Sequence, residues 1–68
     1  MIMTRVCSTN LCSVGYEHNT LYVHFNSGST YVYDGVPQYE YENLMSASSH
    51  GRYFCNNIKG KYPYRRID

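Results

Sequence analysis

From Leu21 to Asp34 the chain reads as a β-hairpin, and that stretch limits the possible folds more than any other. Leu21, Val23 and Phe25 alternate with Tyr22 and His24, the period of a half-buried strand. Asn26-Ser27-Gly28-Ser29 interrupts the pattern as a turn, with Gly28 free to take the positive φ that hairpin turns require. A further strand over 30–34 follows, and a preceding one near 12–17 (Cys12, Val14, Tyr16) joins through Glu17-His18-Asn19-Thr20. The expectation is a three-stranded antiparallel meander.

Asp34-Gly35-Val36-Pro37 closes the sheet, and a proline suits the first turn of a helix because its missing N–H would be unpaired there. Tyr41, Leu44 and Met45 stand at helical spacing, so a helix is predicted near 37–46. Ser49 can cap a second helix on which Phe54 and Ile58 lie four apart, ended by Gly60. Pro63 prevents continuation and leaves 61–68 extended. The fold class is α+β, a three-stranded β-meander followed by two short helices packed on one face. An irregular segment over 1–11 precedes a domain over 12–64, with a basic tail at 65–68.

The register of the hairpin decides which face carries aromatic rings. Pairing Phe25 with Thr30 sets Tyr22, His24, Tyr31 and Tyr33 together, opposite the apolar set. Pairing Phe25 with Tyr31 moves both tyrosines onto the apolar face and leaves Tyr22 and His24 opposite. A one-residue slip exchanges the faces, and the pattern alone allows either.

Nine of the 68 residues are tyrosine. So short a chain buries only about 60% of its unfolded surface. Phenols also need partners for their hydroxyls, so some rings are expected at a recognition surface. Charge is uneven as well. Residues 51–68 hold Arg52, Lys59, Lys61, Arg65 and Arg66 against Asp68, while 1–50 hold Arg5 against Glu17, Asp34, Glu40 and Glu42. The net +1 thus divides into a +4 end and a −3 remainder. A basic end threaded with tyrosines suits an anionic partner, although a solvated polar tail gives the same composition.

Three cysteines, an N-terminus too short and polar for a signal peptide, and no apolar span point to a cytoplasmic protein with free thiols and no membrane partner. Metal binding is not expected. Cys7 and Cys12 have no second Cys/His knuckle to complete a zinc site, even counting Cys55, His18, His24 and His50. Catalysis is not expected either. His50 and Cys55 project about 140° apart on a helix, and no paired carboxylates, phosphate loop or nucleophile elbow is present. No cofactor is implied.

Val14-Gly15-Tyr16, Leu21-x-Val23-x-Phe25-x-x-Gly28 and Tyr31-x-Tyr33-x-Gly35-Val36-Pro37 together resemble the KTSC domain. Leu44, Ala47-Ser48, Gly51, Tyr53-Phe54, Ile58 and Tyr62 extend the resemblance, which runs from about Ser13 to Tyr64. That family is named for the C-terminus of some lysyl-tRNA synthetases and also occurs as stand-alone bacterial and phage proteins. The resemblance implies no enzymatic activity, and the synthetase fusion points toward RNA. It also favours the second register, because members often carry a polar residue at the place of Val32. Cys55, the N-terminal cysteines and Tyr39 depart from the family pattern.

The resulting expectation is a non-catalytic binding module for a nucleotide-type ligand. That ligand is single-stranded RNA, tRNA or a small nucleotide, including a nucleotide-derived immune signal sequestered by a phage protein. Rings stack on bases and cations meet phosphate. The candidate residues are Tyr16, Tyr31, Tyr33, Arg52, Tyr53, Lys59, Lys61, Tyr62, Tyr64 and Arg65. The alternative is a protein-interaction module or homo-oligomer using a tyrosine-rich sheet face at Tyr22 and His24.

Overall fold

A computed structural model describes residues 1–6 and 8–68, so Cys7 lies outside the described residues. Five strands and two helices follow in the order β1 (Thr4–Arg5), β2 (Leu11–Glu17), β3 (Thr20–Phe25), β4 (Thr30–Asp34), α1 (Gln38–Ser46), α2 (His50–Asn57) and β5 (Tyr64–Arg66). The strands form one antiparallel sheet ordered β1-β2-β3-β4-β5. The α+β class and the meander are as expected, but the sheet has five strands. Thr4–Arg5 pair with β2 where an irregular segment was expected, and Arg65 and Arg66 belong to an edge strand on β4. Short end segments acquire strand geometry because each lies beside an exposed sheet edge, a template that local pattern does not reveal.

Turn chemistry sets both hairpins. His18 and Asn19 take φ of 51° and 60°, the left-handed pair of a two-residue turn between Glu17 and Thr20. In the second hairpin the Phe25 amide donates to the Ser29 carbonyl at 2.9 Å and Gly28 stands at φ 101°, giving a three-residue loop. Val23 is therefore opposite Tyr31 and Leu21 opposite Tyr33. Neither expected pairing of Phe25 occurs. The observed register differs from the second by an even step, so Tyr31 and Tyr33 share the face of Leu21, Val23 and Phe25. A bulge between Leu11 and Ser13 shifts parity at Cys12 and places Leu11, rather than Cys12, in the core.

The core lies between that face and the helices. Leu11, Val14, Leu21 and Val23 from the sheet meet Val36, Leu44, Phe54 and Ile58. Pro37 flanks α1 at its N-cap, where its carbonyl accepts from the Glu40 amide at 3.0 Å, and Ser49 Oγ accepts from the Arg52 amide at 3.3 Å. The opposite face carries Tyr22, His24 and Val32. Met1 and Met3 lie over Gly15 there, so close that a Cβ at Gly15 would meet the Met3 sulfur at 2.6 Å. Among the described residues no helix is long and apolar enough to cross a membrane.

Candidate functional site

Strand parity carries Tyr31, Tyr33 and Tyr64 onto one side of the sheet, because Tyr33 is in register with Tyr64 and adjacent strands keep partners on a common face. The end of α2 lies across from them. Between these walls runs a groove of about 450 Å³, walled by Phe25, Tyr31, Tyr33, Phe54 and Tyr64. Its polar lining is Asn10, Ser27, Ser29, Cys55 and Lys59.

The rings hold one another in fixed attitudes. Tyr33 meets Phe54 edge-on at 5.3 Å between centroids and 81° between planes, and Phe25 meets Phe54 and Tyr31 similarly at 5.6 and 5.7 Å. Edge-to-face contacts of this kind match the positive rim of one ring to the negative face of the next. Tyr64 leans across Tyr31 and Tyr33 at 5.9 and 5.7 Å and remains 61% exposed. Tyr33 is only 4% exposed. No described residue hydrogen-bonds its hydroxyl, and the described residues include no fully buried, unpartnered polar atom. Tyr33 lines the groove together with the Tyr31, Tyr64 and Cys55 side chains that surround its phenol. Burial, then the neighbouring Tyr31 and Tyr64 phenols and the Cys55 thiol, push the Tyr33 phenol up to about 12, so it stays a neutral donor at physiological pH.

The loop wall is braced. Asn26 Nδ2 donates to the carbonyls of Ser8 and Thr9 at 3.2 and 3.1 Å, and Ser8 Oγ donates to Asn10 Oδ1 at 3.0 Å. Gly51 admits this loop, since a Cβ there would collide with Asn10 Oδ1 and Ser8 Oγ.

Four of the ten expected ligand residues, Tyr31, Tyr33, Lys59 and Tyr64, come together in the groove. The others go elsewhere. Tyr53 and Tyr62 both donate to Glu40, a carboxylate 4% exposed on α1, with Tyr62 Oη 2.8 Å from Glu40 Oε2. The hydrogen bond to Glu40 raises the Tyr53 phenol, and burial followed by the same carboxylate raises Tyr62 to about 12. Tyr16 stacks on Tyr41 at 5.0 Å and donates to the Val36 carbonyl at 2.6 Å, outside the groove. Arg65 lies in register with Val32 on the face away from the helices and pairs with Asp34 at 3.2 Å. Arg52 borders a separate hollow of about 220 Å³ beside Ser48, Ser49 and Tyr53, and Lys61 is exposed outside the groove. Tyr22 and His24 are half-buried on the outer face, where His24 Nδ1 lies 2.8 Å from Thr30 Oγ1.

Phe25, Phe54, Cys55 and Asn10 were not expected in a site. Phe25 shares parity with Tyr31 once the register is known, whereas Asn10 gave no signal. His50 Nδ1 contacts the Leu44 carbonyl at 2.9 Å, turned toward α1, while Cys55 faces the groove. Among the described residues no group of three or more His, Cys, Asp or Glu is placed to hold a metal ion.

With this fold and groove, the chain belongs to the KTSC domain family, whose model matches residues 7–62. The crystal structure of a KTSC domain protein from Yersinia pestis superposes with a TM-score of 0.92 at 40% identity, covering 98% of this chain and 97% of that one. An uncharacterized protein of Stutzerimonas stutzeri (strain A1501) is 42% identical over 71 residues, 97% of this chain and 100% of its own length. A lysine–tRNA ligase of Trichormus variabilis is 46% identical over 48 residues, which span 71% of this chain and 9% of the ligase.

Proposed function

We propose that this protein is a non-catalytic binding module for a nucleotide-type ligand, and that the aromatic groove is its site. One observation carries the reading: five rings wall a single groove with one ammonium, Lys59, at its lining. A planar base inserts beside Tyr64 and Tyr31, each stacked ring contributing about 1–3 kcal/mol, and Lys59 meets the phosphate. The size agrees, since ligand sites commonly enclose about 300–1,000 Å³. No carboxylate or imidazole is among the described residues lining it. Similarity to a segment of lysine–tRNA ligases supports RNA as one source of the nucleotide, with a free nucleotide signal as the other.

Titration of the protein with nucleotides and short single-stranded RNAs at two salt concentrations tests this. Saturable binding that Tyr64→Ala weakens is expected. Absence of binding at protein concentrations of about 1 mM, an affinity below about 4 kcal/mol, overturns it.

A second reading, self-association through the outer face, is supported by exposed Met1 and Ile2, the latter 83% accessible, beside the Gly15–Tyr22 row. Light scattering that detects monomer alone at high concentration rejects it, and Tyr22→Ser should weaken assembly while leaving the groove intact.

A further inference from the structure

The distribution of positive charge narrows the ligand, given the nucleotide reading above. Of the six Lys and Arg side chains, Lys59 alone lines the groove among the described residues. Arg5 is in register with Ser13 and Arg65 with Val32, both on the face away from the helices, and Arg65 is already paired with Asp34. Arg52 borders the other hollow. Arg66 shares the Tyr31 side of the sheet, but its Nε donates to the Asp68 carbonyl at 2.7 Å. Lys61 is exposed beyond the groove lining. A protein that follows a nucleic-acid strand needs cations spaced along the backbone as well as stacking rings. Here the rings are gathered and the cations are scattered.

The groove has a second discriminating feature. Tyr33 is buried over nearly all its surface and lines the groove, yet no described residue hydrogen-bonds its hydroxyl. Leaving such a group unmatched by a ligand is costly, so an occupant is selected for a polar atom at that depth. A base or sugar edge supplies one; a purely apolar ring does not.

We infer that the groove takes one nucleotide unit bearing one phosphate, its base among the rings over the Tyr33 hydroxyl and its phosphate on Lys59. The unit is either a free nucleoside monophosphate or the terminal nucleotide of an RNA, and no internal run of a strand is held. The Tyr33 phenol, pushed up to about 12, donates its hydrogen throughout the neutral range.

Amide chemical-shift titrations with nucleoside monophosphates, the matching nucleosides and single-stranded RNAs of increasing length test this. The monophosphates are expected to saturate the groove, with nucleosides about tenfold weaker for want of one charge-assisted contact. Affinity should fall with salt no more steeply than a log–log slope of about −1, as suits a single phosphate contact. Lys59→Gln should flatten that slope, whereas Tyr33→Phe should weaken binding without altering it. Binding confined to free monophosphates makes a metabolite the source, equal binding by RNAs with a terminal phosphate makes it a chain end, and either supports the inference. Affinity that climbs with RNA length at a slope of about −3 or steeper overturns it while leaving the nucleotide reading in place. A Lys59→Gln protein indistinguishable from its parent overturns it too. Failure of every nucleotide and RNA to bind overturns both.

Discussion

Two clusters of tyrosine lie on the same side of this sheet and treat their hydroxyls in opposite ways. At Glu40, Tyr53 and Tyr62 give theirs to one buried carboxylate, which ties α2 and the approach to β5 onto α1. In the groove, no described residue hydrogen-bonds the Tyr33 hydroxyl, and Tyr64 keeps an exposed ring. Polar groups that are internally matched hold a fold together. Those left open beside a cavity are available to something else. Counting tyrosines could not separate the two populations, although both were candidates for binding.

The sharpest way to break this contrast is Glu40→Ala, which leaves two half-buried phenols without that acceptor. A loss of about 2 kcal/mol in chemical denaturation is expected, or roughly 10 °C in melting temperature for a domain this small. A loss under about 0.5 kcal/mol would place the clamp among incidental surface contacts. Tyr64→Ala should act in the reverse sense. It weakens nucleotide binding by about 1–3 kcal/mol in a titration and moves stability by less than about 1 kcal/mol, because the ring is largely exposed.

Hydroxyl deletions sharpen the comparison further. Tyr53→Phe should destabilise by about 1–2 kcal/mol, the worth of a hydrogen bond to a charged group, and leave affinity unchanged. Tyr33→Phe should leave unfolding midpoints within about 0.5 kcal/mol of the parent, since no described residue hydrogen-bonds that hydroxyl.

Alkaline pH probes both clusters at once. Tyr33 and Tyr62 hold their protons up to about 12 in the folded state, against an ordinary phenol near 10. The folded chain therefore binds more protons than the unfolded one in that window. The stability this represents is complete below pH 10 and is lost as pH rises toward 12. Urea midpoints should fall across that interval, and either Tyr→Phe change should make the fall shallower. The smallest effect belongs to Arg65→Ala. Its exposed pair with Asp34 is worth about 0–1 kcal/mol, and its removal should leave nucleotide affinity unchanged.

Much of the fold was legible along the chain. The alternation from Leu21 to Phe25, the turn at Gly28, the Ser49 cap and the Phe54–Ile58 spacing are all local signals, and each element stands within a residue or two of its expected place. The resemblance to KTSC domains also chose the correct face for Tyr31 and Tyr33. β1 and β5 were missed because two or three residues of strand have no pattern of their own and form only where an edge awaits them. The candidate site was half legible. Tyr31, Tyr33, Lys59 and Tyr64 were named, but they stood among six others that composition could not tell apart.

The sequence by itself determined periodicity, turn types and helix caps, because these depend on neighbours a few residues away whose side-chain and backbone preferences act whatever lies beyond. Tertiary structure alone decided which phenols found acceptors. Tyr62 meets Glu40 across 22 positions, and Arg65 reaches Asp34 across 31. A hydroxyl's partner depends on distances fixed only when helices settle on the sheet, and so does the line between a ring that braces the fold and one that lines the groove.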